Sequence, residues 1–273
     1  MITSFQVKSF LRYYQSAKTI YEIDSPFVFD FLKNILEDDR HYYVFDVVED
    51  IRAVLNSDIS VLPGIDYGAP SKTLRKERRV KDIAQKNAIS PRVGYWLFKI
   101  INHFKPEVML ELGTSLGISS VYQAAAHFSG DLITVEGSTD LAAIAQHYFD
   151  QVGLANIHII NDSFESALQV ILPDLPQLDY VFLDGHHIGE ARLKYFAQIQ
   201  EKLHEDSIVV FSDMYWSPDM LAAWQQLQAL PSVSLSLDLY EIGILFFNPA
   251  ISSPLHLALI EQKYKPWKMG FWR

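Results

Sequence analysis

The chain has 273 residues, 49% of them hydrophobic and 21% charged, which is enough apolar material for one large α/β domain with a smaller appendage. A formal net charge of −10 argues against a general nucleic-acid binder, whose affinity rests on Lys and Arg neutralising phosphates. The absence of cysteine excludes disulfides, thiolate zinc sites and cysteine nucleophiles.

The start, Met1-Ile2-Thr3-Ser4-Phe5, has neither the basic opening nor the apolar run of a signal peptide, and no apolar stretch reaches the roughly 18 residues of a membrane span. A cytoplasmic protein without membrane or nucleic-acid partners is therefore expected. Phe10, Leu11, Tyr13, Tyr14 and Tyr21 fall at mostly helical spacing. Ser25-Pro26 reads as a cap and first helical residue, followed by an apolar face at Phe27, Phe31, Leu32 and Ile35. A third helix carries Phe45, Val48, Ile51 and Leu55. The stretch from Pro63 to Arg79, with Lys72, Arg75, Lys76, Arg78 and Arg79, reads as an exposed connection whose charges form a solvated face or meet an anionic acceptor. Ser90-Pro91 caps a further helix reaching Phe104.

From Glu107 the pattern changes. Short apolar runs at 108–112, 132–136, 157–160, 180–183 and 208–211 alternate with helical stretches, as parallel strands buried on both faces do. Val233–Tyr240 and Ile242–Phe247 are too close for a helix between them and must pair antiparallel.

Chemistry-bearing residues gather at the strand ends, where an open α/β sheet binds its ligands. The first strand runs into Glu111-Leu112-Gly113-Thr114-Ser115-Leu116-Gly117, where the glycines allow a sharp turn and close approach of a ligand. This is neither G-x-G-x-x-G nor a P-loop, which weakens the dinucleotide and nucleoside-triphosphate readings. Glu136, ending the second strand, can accept hydrogen bonds from both hydroxyls of a ribose. Asp162, Ser163 and Phe164, after the third, can meet an adenine edge and ring, while Asp162 or Ser163 can equally cap the next helix. Asp184-Gly185-His186-His187 sets a carboxylate and two imidazoles beside the crevice, a combination suited to general-base work. Asp213 ends the fifth strand next to Asp184. The two could share a magnesium-type divalent cation, or Asp213 could cap the helix after Ser217-Pro218.

The run from Leu110 to Ser119, then Val135-Glu136-Gly137, then Phe182-Leu183-Asp184-Gly185-His186-His187 resembles class I S-adenosylmethionine-dependent O-methyltransferases of the catechol and caffeoyl-CoA type, and their relatives with an Asp-Gly-x-His strand end. The resemblance spans roughly residues 80 to 250. It implies a Rossmann-like seven-stranded sheet, mostly parallel with a C-terminal antiparallel hairpin, over residues 81–273, preceded by a helical extension or cap over 1–80. It also implies that Glu111, Gly113, Thr114, Ser115, Gly117 and Ser119 surround the methionine part of the cofactor, that Glu136 holds the ribose, and that Asp162, Ser163 and Phe164 flank the adenine. Asp184 would lie near the cofactor's amino group, His187 would be the general base, and Asp184 with Asp213 would be the metal ligands. The sequence departs from the catechol type at Met214, where that type carries asparagine, and at Ser212, where no second acid stands. The implied activity is methylation of a hydroxyl on a small-molecule acceptor, with a homodimer as the expected assembly. Two other readings remain open: a non-catalytic binder of the same cofactor and a nicotinamide-dependent oxidoreductase.

Overall fold

In the computed structural model, residues 3–62, 77–250 and 255–268 are described. The chain opens with α1 (Ser4–Ser16), whose N-terminus is closed by a reciprocal Thr3–Gln6 capping box. The helix stops at Ser16, earlier than the aromatic spacing suggested, because Ala17 turns extended and Lys18 bridges to Leu259. Tyr21 then lies in a separate short turn. Ser25 caps α2 (Pro26–Phe31), which runs on through a π-helical turn to Leu36. Next come α3 (Tyr43–Ser57) and a two-residue ladder, β1 (Val61–Leu62) against β2 (Arg78–Arg79). They lead into α4 (Val80–Asn87) and α5 (Pro91–Phe104), the latter capped by Ser90 as expected.

The α/β part then alternates regularly. It contains β3 (Val108–Leu112), α6 (Ile118–Ala126), β4 (Asp131–Val135), α7 (Thr139–Val152), β5 (Ile157–Ile160), α8 (Phe164–Asp174), β6 (Leu178–Leu183), α9 (Gly189–Ile199), β7 (Leu203–Ser212) and α10 (Pro218–Gln228). The antiparallel pair β8 (Leu235–Asp238) and β9 (Ile242–Phe246) follows, and then β10 (Leu255–Ala258). The sheet order is β10-β8-β9-β7-β6-β3-β4-β5. β9 inserts between β7 and β8, antiparallel to both, and every other pairing in this sheet is parallel. The seven expected strands are all present. The eighth, β10, extends the sheet beyond β8; its Leu255, Leu257 and Ala258 alternate around His256 too briefly to stand out in the sequence.

Strand order reverses between β3 and β6, because the chain passes outward through β4 and β5 and returns beside β3. That reversal opens the crevice at the carboxyl ends where an α/β sheet takes its ligand. The period-two alternation sorts side chains into two cores. Met109, Phe182, Ile208 and Val210 face one side with α2 to α7, and Leu110, Val181, Val209 and Phe211 face the other with α8, α9 and α10. The helices of the N-terminal region thus share one continuous core with the sheet, through Phe31, Phe45, Val48 and Leu97. Among the described residues no helix is long and apolar enough to cross a membrane.

The α5–α6 contact is closely packed. A Cβ on Gly94 would lie 2.2 Å from the ring of Tyr122, itself wholly buried. Gly94→Ala is expected to destabilise the protein by about 1–3 kcal/mol, the usual cost of overpacking. In urea titration the midpoint should fall while the slope stays the same. An unchanged midpoint would show that the two helices can separate freely.

Candidate active site

Four strand exits build the site. The first, after β3, depends on a buried carboxylate. Glu111 is fully buried; its oxygens accept from Gln123 Nε2 at 2.6 Å, from Thr134 Oγ1 at 2.6 Å and from the Ser120 hydroxyl. Thr134 passes the network on to Thr114, with the two hydroxyl oxygens 2.6 Å apart. One group therefore ties together β3, α6, β4 and the glycine loop. Burial raises its pKa above the ordinary carboxylate range, against the hydrogen bonds that favour the ionised form. Glu111, Thr114, Gly117 and Ser119 are not on the surface of the cleft; they shape it from behind.

The loop itself is sharply bent, with positive φ at Gly113 (116°), Ser115 (48°) and Gly117 (81°). Gly113 cannot be replaced freely, since its Cβ would meet Gly185 N at 2.9 Å and Asp184 C at 3.0 Å on the neighbouring strand exit. Glu136, after β4, holds the loop from the other side. One of its oxygens accepts from Ser115 N and the other from Ser138 N, both at 2.8 Å. The carboxylate expected to meet a ribose is thus already oriented by two backbone amides.

After β5, Ser163 caps α8 by accepting from Ser166 N, and Asp162 is exposed, accepting from Ser163 N at 2.6 Å. Phe164 reaches over the β6 exit. A Cβ on Gly185 would sit 2.1 Å from its ring, so Gly185 is what lets that ring lie across the loop. A cleft of about 280 Å³ lies between these exits. Its walls include Gly113, Ser115, Glu136, Phe164, Asp184 and His187. The opposite wall comes from β2 and α4: Arg78, Ile83 and Asn87, with Arg78 donating to Asn87 Oδ1 at 3.1 Å. Arg78 is thus a wall of the cleft, not part of a purely solvated face; Lys72, Arg75 and Lys76 lie outside the described residues.

The two histidines after β6 diverge. His186 takes a left-handed φ of 51°, and its Nδ1 lies 2.8 Å from the Tyr195 hydroxyl, with its ring stacked on Tyr195. His187 turns the other way: Nδ1 lies 3.4 Å from Asp213 Oδ2, and its ring packs on Trp216 at 5.1 Å. Asp213, itself at φ 55°, is the neighbour of His187, while the cap of α10 is Ser217. Asp184 lines the cleft; burial and the nearby Asp213 carboxylate raise its pKa well above the usual range, against a hydrogen bond from Ser212 and the charge of Arg192.

Arg192, on α9, is the functional side chain the sequence reading passed over. Wholly buried, it donates to the carbonyls of Leu183 (2.6 Å), Gly185 (2.9 Å), His186 (3.2 Å) and Ser212 (3.2 Å). It thereby fixes the exits of β6 and β7 relative to each other. The signal was present: Arg192 stands on the same helix face as the buried Tyr195, Phe196 and Ile199.

The donor set does not fit the expected divalent cation. Asp184 and Asp213 are neighbours, but Met214 is 1% exposed and its sulfur packs under Gly243, while His187 occupies the side of Asp213. Among the described residues no group of three His, Asp or Glu converges. Two carboxylates alone fall well short of the six oxygen ligands a magnesium-type ion takes.

Residues 110–214 match the family model described as a methyltransferase domain. No curated protein matches the chain in sequence. Among solved structures, an O-methyltransferase from Bacillus cereus with bound S-adenosylhomocysteine superposes with a TM-score of 0.55 at 17% identity, over 80% of this chain and 96% of that one. An S-adenosylhomocysteine-bound methyltransferase from Podospora anserina gives 0.57 at 13% identity, over 91% and 98%. The Streptomyces achromogenes O-methyltransferase of tomaymycin synthesis, solved with S-adenosylmethionine, gives 0.56 at 16% identity, over 77% and 91%. Residues 110–214 thus resemble a methyltransferase domain, and the fold is that of the class I methyltransferases.

The buried Glu111 makes a pH-dependent contribution of known sign. Because its folded pKa is raised, this contribution to stability is greatest below the ordinary value of about 4.3 and declines as pH rises through the folded value. Glu111→Gln should abolish that part of the slope in denaturant titrations across pH. Glu111→Ala, which leaves its donors without an acceptor, should cost about 1–3 kcal/mol. A wild-type pH profile identical to that of Glu111→Gln would contradict the assignment.

Proposed function

We propose that the chain transfers a methyl group from S-adenosylmethionine to a hydroxyl oxygen of a small molecule, with His187 as the general base. The observation that carries this reading is the convergence on one cleft of the glycine loop, the pre-oriented Glu136 carboxylate and His187 backed by Asp213. The O-methyltransferase neighbours support oxygen as the acceptor atom. When bound, the cofactor supplies an electrophilic methyl on a sulfonium.

The chain's own residues then have distinct tasks. Glu136, oriented by the amides of Ser115 and Ser138, would accept the ribose hydroxyls. Phe164 offers its ring to the adenine, held over Gly185. Asp184 faces the cationic end of the cofactor, and a positive charge there offsets the repulsion between it and Asp213. Asp213 lies 3.4 Å from His187 Nδ1, so its charge would favour the imidazolium formed if Nε2 takes the proton of the acceptor hydroxyl. The products would be the methyl ether and S-adenosylhomocysteine, with the proton held on the His187 imidazole until water removes it.

Two measurements test this. Glu136→Ala should weaken S-adenosylhomocysteine binding in calorimetry at least roughly tenfold, since each hydrogen bond to a charged group is worth about 1.5–3 kcal/mol. Unchanged affinity would remove Glu136 from the site. With labelled S-adenosylmethionine and a panel of phenols, His187→Ala should lower turnover by roughly 10²–10⁴ while S-adenosylhomocysteine affinity stays within a few fold. His186→Ala should leave turnover nearly unchanged. Loss of turnover in His186→Ala alone would show that the base has been assigned one residue away from its true place.

A further inference from the structure

A second cavity, of about 360 Å³, lies between α1, the start of α5, the β8–β9 turn and the segment after β10. It shares no wall residue with the cofactor cleft. Its size falls within the roughly 300–1,000 Å³ of small-ligand sites. The walls are mainly rings: Phe10, Tyr13 and Tyr14 from α1, Trp96 from α5, Tyr240 from the turn, and Tyr264.

The polar tips of these rings are tied down. Tyr13 donates to the Leu259 carbonyl at 2.5 Å, Tyr14 to the Tyr264 carbonyl at 2.8 Å and Tyr240 to the Gln6 carbonyl at 3.2 Å. Arg92, between the Trp96 and Tyr264 rings, is ion-paired with Glu241. The exception is Glu261. It is 8% exposed and lines the cavity; Oε1 accepts from Lys263 Nζ at 2.8 Å, while Oε2 is buried with no hydrogen-bond partner among the described residues. A buried acceptor left unmatched is costly, and native proteins rarely leave one without a water or a ligand.

We infer that this cavity is a second ligand site, for a planar aromatic molecule whose hydrogen-bond donor, an ammonium or a hydroxyl, is received by Glu261. Aromatic walls give flat faces and edges to a ring, and the unmatched carboxylate oxygen selects a donor over an acceptor. A carboxylate on the ligand is disfavoured by Glu261 itself, whose own charge it would face. The site adjoins the catalytic loop. Tyr240 stacks on Tyr215 with ring centres 4.9 Å apart, and Tyr215 lies two residues after Asp213, donating to Asp238 at 2.5 Å.

The test uses the full chain and three indole probes in calorimetry: tryptamine, tryptophol and indole-3-propionate. Tryptamine and tryptophol should bind, and indole-3-propionate should bind at least tenfold more weakly. Glu261→Gln should lower tryptamine affinity at least tenfold while S-adenosylhomocysteine affinity is unchanged. Should that variant fail to fold, as judged by its thermal transition, Phe10→Ala removes a half-exposed wall ring and should weaken both binding probes. No binding by any probe at millimolar concentration, equal binding by all three, or unaltered tryptamine binding in the variant that folds would overturn the inference. Tryptamine binding without S-adenosylhomocysteine binding would leave this site standing and overturn the proposed function instead.

Discussion

The site rests on a carboxylate that no ligand is placed to touch. Glu111 lies one residue before the end of the first strand of the α/β part and is fully buried. Burying a charge is expensive unless its hydrogen-bonding capacity is filled, and here donors from α6 and β4 fill it. Meeting that requirement fixes where α6 begins relative to β3. Through Thr134 and Thr114 it also fixes the path of the glycine loop. Ser115 can then hold its left-handed conformation and present its amide to Glu136.

The same logic recurs on the other half of the crevice with opposite charge. Arg192 is buried beneath the β6 and β7 exits, and backbone carbonyls satisfy its guanidinium. A left-handed backbone at a residue other than glycine costs of order 1–3 kcal/mol and persists where its surroundings over-determine it. His186 and Asp213 are both in that region, and the carbonyls of His186 and Ser212 are held by Arg192. The consequence for chemistry is directional. His186 is committed to Tyr195, and His187 is turned toward Asp213 and the cleft. The buried carboxyl and the buried guanidinium thus shape the two sides of one cleft.

Much of this was legible in the sequence because it depends on local patterns. The inner strands β3, β6 and β7 carry long buried apolar runs and read as hydrophobic strands, and the tight Tyr240–Glu241 connection allows only an antiparallel return. Ser25, Ser90 and Ser163 announced helix starts because capping is a contact over three residues. What escaped depends on contacts between distant parts of the chain. Glu111 reads as a cofactor ligand because its spacing alone cannot reveal three donors behind it. β10 is recognisable only once β8 provides an edge. The metal expectation rested on two aspartates at adjacent strand ends. Beside those aspartates stand His187 and the core-facing Met214, neither of them an oxygen donor.

The central claim is that the crevice between β3, β4 and β6 is built for S-adenosylmethionine. A crystal structure of the protein grown with S-adenosylhomocysteine tests it most directly. The account predicts the ribose hydroxyls within hydrogen-bond distance of Glu136, the adenine beside Phe164, and the sulfur on the side of the cleft that carries Asp184 and His187. Ligand density elsewhere on the protein, or in this cleft with the ribose away from Glu136, would contradict it.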